Sequence, residues 1–299
     1  MNDSLTPPPA PPSQGTPPPA APGNPPAPAA PAPHQPRPGG AGKVVSVIAI
    51  VVGALVLIGT IWGSVRGAVA DASRGDSTLT ASAAGVTSLR VDAAAARFEI
   101  EFDDVDEAVL DVVGGRGGAW TLERRDGELR VTSPDRGWGW FGVNRGDERV
   151  VLTLPERLED ARLDADLTLA AGELRATGAF GALSLDVGAG GMDVRGAAES
   201  LDVSVSAGQA QFDLADVSDA NLSVAAGRLI GTLTGDAPDD VTVSVSAGEL
   251  DVELPRGAYD VRSDVSAGSF DNRLDVSRGA RSTVDVEVAA GRAVLSNAR

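Results

Sequence analysis

The chain has 299 residues, of which only 4% are aromatic, and its formal net charge is -17. It contains no cysteine, which excludes disulfides, thiolate chemistry and Cys-ligated metals. The only formal charges before residue 44 are Asp3, Arg37 and Lys43, a net of +1, so the rest of the chain carries -18. Because such an acidic surface repels phosphate groups, nucleic-acid binding is not expected.

Residues 1–43 are the first segment and hold 16 of the 20 prolines, in runs such as Pro7-Pro8-Pro9. This composition predicts a disordered Pro-rich tail with polyproline II character. Such a tail is either a solvated spacer or a ligand for grooves that recognise PxxP motifs. We favour the spacer because no basic residue closely flanks the proline runs.

Residues 44–65 are the second segment, 22 residues without a charge. At about 1.5 Å per residue, a helix of this length spans roughly 33 Å, enough to cross the hydrocarbon layer of a membrane. Trp62 lies near one end, where an indole suits the lipid–water interface. The alternative is a cleaved secretory signal, but here a long tail precedes the apolar stretch. We therefore predict an uncleaved single-pass transmembrane helix that contacts the lipid bilayer.

The orientation of this helix is nearly balanced by charge. Arg37 and Lys43 precede it, and Arg66 and Arg74 follow it, so the positive-inside rule gives almost a tie. We expect the Pro-rich tail on the cytoplasmic side and the acidic C-terminal part on the extracytoplasmic side. Residues 66–85 are mostly small or polar and predict a linker to the next domain.

Residues 86–299 alternate apolar and polar side chains with a period of two, which predicts an all-β domain. Within it an Ala-Gly dipeptide recurs at intervals of 18, 18, 19, 21, 20 and 23 residues. Near-constant spacing is typical of stacked repeats. The glycines of the dipeptides are Gly172, Gly190, Gly208, Gly227, Gly248, Gly268 and Gly291.

The phase of the alternation slips at each Ala-Gly step, as between Val243, Val245 and Ala247 before Gly248 and Leu250 after it. A slip requires a bend, and we expect glycine to supply backbone freedom there while alanine fits the inside of the corner. The repeat glycines therefore predict the corners of a β-solenoid, a β-helix-like fold with coils of roughly 18–23 residues. A long antiparallel sandwich is the alternative, although its hairpins would prefer Asn-Gly or Asp-Gly turns.

An insertion between Thr132 and Arg149 interrupts the repeats and holds three of the few aromatic residues, Trp138, Trp140 and Phe141. The rings either plug the end of the core or contact a partner. They are the best candidates in the chain for a partner contact site.

The chemistry of catalysis and metal binding is sparse in the predicted domain. The only histidine, His34, lies in the tail, so imidazole catalysis and His-ligated metals are not expected in the folded part. Carboxylates cluster at Asp103–Glu107 and Asp236–Asp240, and we interpret both clusters as acidic turns. Calcium sites are disfavoured because no Gly-Gly-x-Gly-x-Asp array occurs. We predict no catalytic residue, no cofactor and no metal site.

From Ser88 onward the chain has alternating strands, a Gly139-Trp140-Phe141-Gly142 insertion, a strand at Val150–Pro155 and then Ala-Gly repeats. In these features residues 86–299 resemble the bacterial putative-adhesin family of β-strand repeat domains of unknown function. The resemblance implies a bacterial cell-envelope protein with a solenoid-like fold, some relatives being tied to envelope stress signalling. It implies no catalytic residues.

These observations predict a non-enzymatic, membrane-anchored envelope protein whose β-repeat domain binds an unknown protein or envelope partner, or takes part in envelope sensing or adhesion. One alternative is a self-assembling structural scaffold, in which chains associate through unpaired backbone groups of a terminal coil. We expect the last segment, Val284–Leu295, to be that coil. The other alternative is a carbohydrate-active β-helix enzyme, which needs carboxylates converging in a cleft.

Overall fold

The computed structural model describes residues 76–115, 119–134 and 148–298, which fold almost entirely as β-strands. The predictions for the tail, for the membrane helix 44–65 and for Trp138, Trp140 and Phe141 lie outside these residues. In the ranges described, no helix is both long and apolar enough to cross a membrane. The elements are β1 Ser77–Ala81, β2 Ser88–Ala93, β3 Ala96–Asp103, β4 Ala108–Val113, β5 Thr121–Arg125, β6 Glu128–Thr132, β7 Arg149–Pro155, α1 Glu156–Asp160, β8 Leu163–Leu169, β9 Gly172–Val187, β10 Gly191–Val205, β11 Gln209–Ala215, β12 Asp219–Val224, β13 Arg228–Thr234, β14 Asp240–Val245, β15 Glu249–Leu254, β16 Ala258–Val265, β17 Ser269–Arg273, β18 Asp275–Val276, β19 Ser282–Val288 and β20 Arg292–Asn297.

The strands pair in two ladders, which are continuous with each other because β9 and β10 run through both. The first ladder has the order β5, β6, β2, β8, β9, β10, β12, β14, β19, β16. The second has the order β1, β4, β7, β3, β9, β10, β11, β13, β15, β20, β17. Pairing between successive repeats is parallel and in register. Each repeat therefore contributes one strand segment to each ladder, and we call such a pair of segments a coil.

Side chains of the same parity are buried along most of the strands, as the period of two predicts. Parallel register stacks them into columns, for example Leu185 on Val203 and Leu222 on Val243, all of which are almost completely buried. Burying one Val or Leu side chain contributes about 1.5–3 kcal/mol. The narrow core thus consists of repeated aliphatic columns, and this explains how a chain with few aromatics can fold.

The coils at the C-terminal end are not stacked in chain order. β19 pairs with β14 on one side and with β16 on the other, and β20 lies in the same way between β15 and β17. The last coil of the chain therefore lies inside the stack, and the coil β16–β17 forms its end. The prediction that Val284–Leu295 is the terminal coil is wrong.

The inward side chains explain this order. Val286 of the last coil packs between Val243 on one side and Ser263 on the other. Similarly, Leu295 lies between Val252 and Asn272. Polar inward residues can stay in contact with water at the end of a stack, where one face of the coil is open. Aliphatic inward residues are more favourable in a coil that is covered on both faces, because their contact with water is then smallest.

The N-terminal end has a similar exchange and a different cap. β2 lies between β6 and β8, and β3 lies between β7 and β9. Beyond them, β5, β4 and β1 pair antiparallel with their neighbours. β1 begins at Ser77 and pairs with β4, and Ala83 and Val86 are buried. The folded part therefore starts by Ser77 at the latest, within the range predicted as linker.

The seven repeat glycines form one column along the stack, in the order 172, 190, 208, 227, 248, 291, 268. The predicted reason for glycine was wrong at six of them, because only Gly172 has a left-handed φ, +100°. A Cβ at each of the other six would lie 2.3–2.5 Å from the carbonyl oxygen of the preceding glycine in the column. Glycine is required because the stacked corners approach each other too closely for any side chain.

The alanines of the corners also differ from the prediction. Ala189, Ala207, Ala226 and Ala247 are exposed instead of lining the inside of the corner. Their backbone N–H groups bond to the neighbouring corner, as Ala207 N–H does to the Gly188 carbonyl at 2.8 Å. The corner is therefore an edge that faces solvent. Its residues are small because the backbones of neighbouring corners stack closely.

Candidate functional site

The outward face of the first ladder contains a groove of about 520 Å³ near the starts of its strands. The groove crosses seven strands, β6, β2, β8, β9, β10, β12 and β14, which at about 4.8 Å per strand gives a length of roughly 30 Å. Polar side chains belong to 12 of its 18 lining residues, and every one of the seven strands contributes at least one of them. The lining residues are Ser88, Leu89, Arg90, Glu128, Asp164, Ala165, Asp166, Ala182, Leu183, Ser184, Ser200, Leu201, Asp202, Asp219, Ala220, Asn221, Asp240 and Thr242.

Hydrogen bonds between coils hold the polar wall in place. Arg90 donates to Asp166 Oδ2 from both Nε, at 3.1 Å, and a terminal nitrogen, at 2.6 Å. Further along, Asn221 Nδ2 donates to Asp202 Oδ2 at 2.8 Å. These contacts join neighbouring strands, so the donors and acceptors of the groove are arranged before any ligand arrives.

Carboxylates crowd the part of the face that adjoins the groove. Burial raises the pKa of Asp186 above its ordinary value, and the negative charges of Asp166 and Asp202 raise it further. Burial also raises the pKa of Asp92, against the opposing effect of Arg90 and Arg130. This part of the face therefore favours protonated carboxyl groups or a partner with hydrogen-bond donors.

The second candidate surface is the column of corners, with a shallow depression of about 630 Å³. We call it the corner surface. The Arg228 guanidinium forms an ion pair with Glu249 of the neighbouring coil at 2.6 Å. Its lining consists of three successive corners and Arg292 of the next corner in the column, namely Ala207, Gly208, Gln209, Ala226, Gly227, Arg228, Ala247, Gly248, Glu249 and Arg292.

The predicted contact residues Trp138, Trp140 and Phe141 lie outside the described residues, but both ends of the insertion are described. β6 ends at Thr132 and β7 begins at Arg149, one residue before the predicted strand Val150–Pro155. The insertion therefore connects the two ladders where other coils have an Ala-Gly corner. At its base, Ala94 N–H donates to Ser133 Oγ at 2.9 Å, and Trp120 Nε1 donates to Glu148 Oε1 at 2.7 Å.

The sequence pattern located the corner glycines but missed the groove residues. Several of these residues stand two apart on one first-ladder strand, as Ser200 and Asp202 do in β10 and Asp219 and Asn221 in β12. The sequence distinguishes them only by their place in the alternation, which predicts that their side chains point outward. Which outward face is concave depends on the stacking of the coils.

The acidic clusters noted in the sequence are turns or strand ends. Asp104 N–H bonds to its neighbour Asp103 Oδ1 at 2.8 Å, and Thr283 N–H bonds to the Asp239 carbonyl at 2.9 Å. Across residues 76–115, 119–134 and 148–298, no three Asp, Glu or His side chains converge closely enough to hold a metal ion.

Solved structures similar to this chain include three bacterial proteins. One is a putative cell adhesion protein from Clostridium sporogenes ATCC 15579, with 14% identity, a TM-score of 0.38 and coverage of 75% of this chain and 99% of that one. Another is a putative adhesin from Bacteroides fragilis NCTC 9343, with 12% identity, a TM-score of 0.40 and coverage of 76% and 98%. The third is a putative lipid-binding protein from Parabacteroides distasonis ATCC 8503, with 13% identity, a TM-score of 0.36 and coverage of 74% and 96%. Two of the three have the type of description that the sequence resemblance implied. No family model matches the chain, and no curated protein matches it.

Proposed function

We propose that this chain is a non-enzymatic envelope protein, held at a bacterial cell membrane by residues 44–65, whose repeat domain is a β-solenoid that binds an extended partner. The strand pairing supports the solenoid: each coil gives one segment to each ladder, successive coils pair in parallel, and the corner glycines form a continuous column. The uncharged length of residues 44–65 supports the anchor.

The observation that carries the binding proposal is the groove across seven strands. It is long and shallow, and most of the strands that it crosses present Ser, Asp, Asn or Thr side chains. A wall of this kind suits a linear polymer rich in hydroxyl and amide groups, because every strand that it crosses offers at least one hydrogen-bonding side chain to the ligand. Cell-wall glycan is the polymer of that chemistry in the bacterial envelope.

The groove proposal can be tested by sedimentation of the full chain, in detergent, with purified cell-wall glycan. Ala182 is an exposed residue of the groove and Ala207 is an exposed residue of the corner surface, so Ala182→Trp and Ala207→Trp are matched substitutions. We expect Ala182→Trp to abolish sedimentation with the glycan and Ala207→Trp to leave it unchanged. Loss of sedimentation with Ala207→Trp but not with Ala182→Trp would indicate that the corner surface is the binding site.

The aromatic insertion is the second part of the proposed contact. Trp138, Trp140 and Phe141 follow the base at Ser133, and we propose that they contact a partner beside the N-terminal end of the stack. The triple substitution of these aromatics by Ser should weaken glycan binding while the circular dichroism spectrum stays the same. Unchanged binding would limit the site to the groove.

The proposed location, with the repeat domain on the extracytoplasmic side, is tested by adding protease to intact cells. We expect digestion of the repeat domain while a tag on the Pro-rich tail is protected. Protection of the repeat domain together with digestion of the tag in intact cells would reverse the orientation.

A carbohydrate-active enzyme is the second candidate, and one observation favours it. The raised pKa of Asp186, beside Asp166 and Asp202, is the environment in which a carboxyl group can donate a proton to a glycosidic oxygen. Release of soluble sugars from the glycan, lost in Asp186→Asn, would establish this function. Binding without release supports the non-enzymatic proposal.

An end-to-end scaffold, the other function that the sequence suggested, would need complementary open coils at both ends of the stack. The N-terminal end has antiparallel strands β1, β4 and β5 instead. A parallel coil from a second chain has no matching edge there, which disfavours a head-to-tail polymer.

A further inference from the structure

Within the part of the chain that the structure describes, the two strands at the C-terminal end of the stack are paired over most of their length on one side only. β16 and β17 bond to β19 and β20, and the short strand β18 covers β16 only at Ala258 and Tyr259. Several apolar side chains of this end coil are uncovered. Val265 is 40% exposed, and Val261 and Phe270 are partly buried. An edge of this kind is a template for pairing with another strand.

The hydrogen bonds that β16 makes show which of its backbone groups face the free edge. The Tyr259 carbonyl accepts from Ser277 N–H on the β18 side, and Ser266 N–H donates to Val288 on the β19 side. Because successive residues direct their backbone groups to opposite neighbours, the odd-numbered residues face the free edge. The free segment of β16 is therefore 261–265, and its centre is Ser263.

The same reasoning applies to β17. Ser269 N–H donates to the Gly291 carbonyl of the neighbouring corner, so the even-numbered residues Phe270 and Asn272 direct their backbone groups to the free edge. Counted from the corner, Val265 and Phe270 are the first inward residues, and Ser263 and Asn272 are the second. Ser263 and Asn272 thus lie at the same distance from the corner, one in each ladder.

From this geometry we propose that two copies of the chain associate end to end through β16 and β17, about a two-fold axis that passes through Ser263 and Asn272. A two-fold axis in the plane of the end coil places each strand antiparallel to its own copy. Ser263 then faces Ser263 of the second copy, and Val261 faces Val265. Edge-facing residues meet edge-facing residues in both ladders, so both form hydrogen-bonded antiparallel pairs.

The outward charges of the two strands are complementary in this arrangement. In β16, Arg262 lies opposite Asp264 of the second copy, and the axis repeats this pair. In β17, Asp271 lies opposite Arg273 of the second copy. Opposite charges that face each other across antiparallel strands are stabilising.

Neighbouring registers do not have this property. A shift of the axis by one residue along β16 would place Arg262 opposite itself or Asp264 opposite itself, and like charges in that position are destabilising. A shift by half a residue would pair inward side chains with outward ones. The centre of the free segment of β16 and the pairing of opposite charges therefore both indicate an axis through Ser263.

This association is independent of the partner proposed for the groove, because the groove extends only as far as β14. The end coil and the groove can be occupied at the same time. A two-fold pair would present two grooves to one polymer.

Disulfide trapping provides the first test, since the chain contains no cysteine. Ser263→Cys in the full chain, in detergent, should give a covalent dimer on mild oxidation, because only the proposed axis brings this residue against its own copy. Ser77→Cys, on the outermost strand of the other end, is the control and should stay monomeric. A covalent product formed only from a mixture of the two variants would indicate head-to-tail contact and overturn the proposal, as would the absence of any dimer from Ser263→Cys.

Charge reversal in β17 provides the second test, measured as the dimer dissociation constant by analytical ultracentrifugation. Asp271→Arg alone or Arg273→Asp alone should weaken the dimer about tenfold, and the two together should restore it, because the exchanged pair is again complementary. Within one chain, Arg273 also forms an ion pair with Asp271 along β17, and Arg195 forms the same type of pair with Asp193 along β10, at 3.0 Å. Arg195→Asp is therefore the matched control and should have no effect. Equal weakening by Arg195→Asp, or no weakening by either β17 variant, would overturn the proposal.

Discussion

Gly291 lies directly on Gly248 in the column of corners, and a Cβ at Gly291 would be 2.3 Å from the Gly248 carbonyl oxygen. Gly268, which lies between the two in sequence, stacks on the far side of Gly291. This contact between residues 43 positions apart records the exchange of the last two coils. It also shows that the corners are held by backbone stacked on backbone, which has consequences for stability.

A side chain at Gly248 should destabilise the stack severely for its size. A Cβ there would lie 2.5 Å from the Gly227 carbonyl oxygen, so we expect Gly248→Ala to lower the free energy of unfolding by about 2–3 kcal/mol. Gly191 is the matched control because a Cβ there meets nothing within 4 Å. Gly191→Ala should be neutral or slightly stabilising. Chemical denaturation of both variants checks this, and similar losses in both would show that the corners do not limit side-chain size.

The exchanged order of the coils predicts opposite tolerances at two paired positions. Val286 is 4% exposed and Ser263 is exposed at the end of the stack. Val286→Ser should cost about 2–4 kcal/mol, because it removes apolar contacts and buries a hydroxyl. Ser263→Val should change the stability of the monomer by less than about 0.5 kcal/mol. Denaturation curves of both variants, recorded at concentrations where the chain is monomeric, measure these changes. If the coils stacked in chain order, the larger loss of stability would be expected at Ser263 and the smaller one at Val286.

Asp186 should destabilise the fold at neutral pH. Its pKa is raised from the ordinary value of 3.8, so the folded chain holds this proton more tightly than the unfolded chain does. The contribution to stability is complete below about pH 3.8 and is lost as the pH rises through the raised pKa. Asp186→Asn should therefore raise the Tm near pH 7 and lose this advantage near pH 3. Asp213→Asn, at an exposed position of β11, is the control, and an equal gain from it would contradict the role of burial.

Tyr259 should make the end coil sensitive to alkali. Its hydroxyl donates to the Pro255 carbonyl at 2.6 Å, and burial raises its pKa from 10.0 to about 12. The protonated form stabilises the fold fully below about pH 10, and this contribution is lost as the pH rises towards 12. Because the chain has one tyrosine, phenolate absorbance reports this residue alone.

Tyr259→Phe is the companion variant of that titration. It should cost about 1 kcal/mol at neutral pH through the lost hydrogen bond, and its stability should decline less between pH 10 and 12. A phenolate that ionises near 10 in the folded protein would contradict the burial of this side chain.

The local features of the fold could be predicted from the sequence, because they depend on neighbouring residues. Alternation in segments such as Val241–Val245 predicted the strands and their buried face, and Ala-Gly steps predicted the corners. The reason for glycine could not be predicted, because a left-handed turn and a close approach of two backbones select the same residue. The exposure of Ala247 was not predicted, because the number of residues that point outward at a corner depends on the curvature of that corner.

The candidate site was less accessible to prediction. Asp166 of β8 and Asp202 of β10 come near Asp186 only because three coils stack in register. Outward parity is identical for a flat, convex or concave face, so the groove has no local signature. The aromatic insertion was recognisable by composition, and the structure adds that its base replaces a corner.

The sequence by itself determined the β-rich class, the coil length and the positions of the corners, since these follow from side-chain period and residue size within each repeat. Only the tertiary structure decided the order of the coils, because backbone hydrogen bonds between parallel strands are equally good for any order. The choice is made by side chains that meet across coils: Val284–Val288 is aliphatic on its inward face and takes the covered position, while Ser263 and Asn272 tolerate the open end. That choice places the free edge of the stack on β16 and β17.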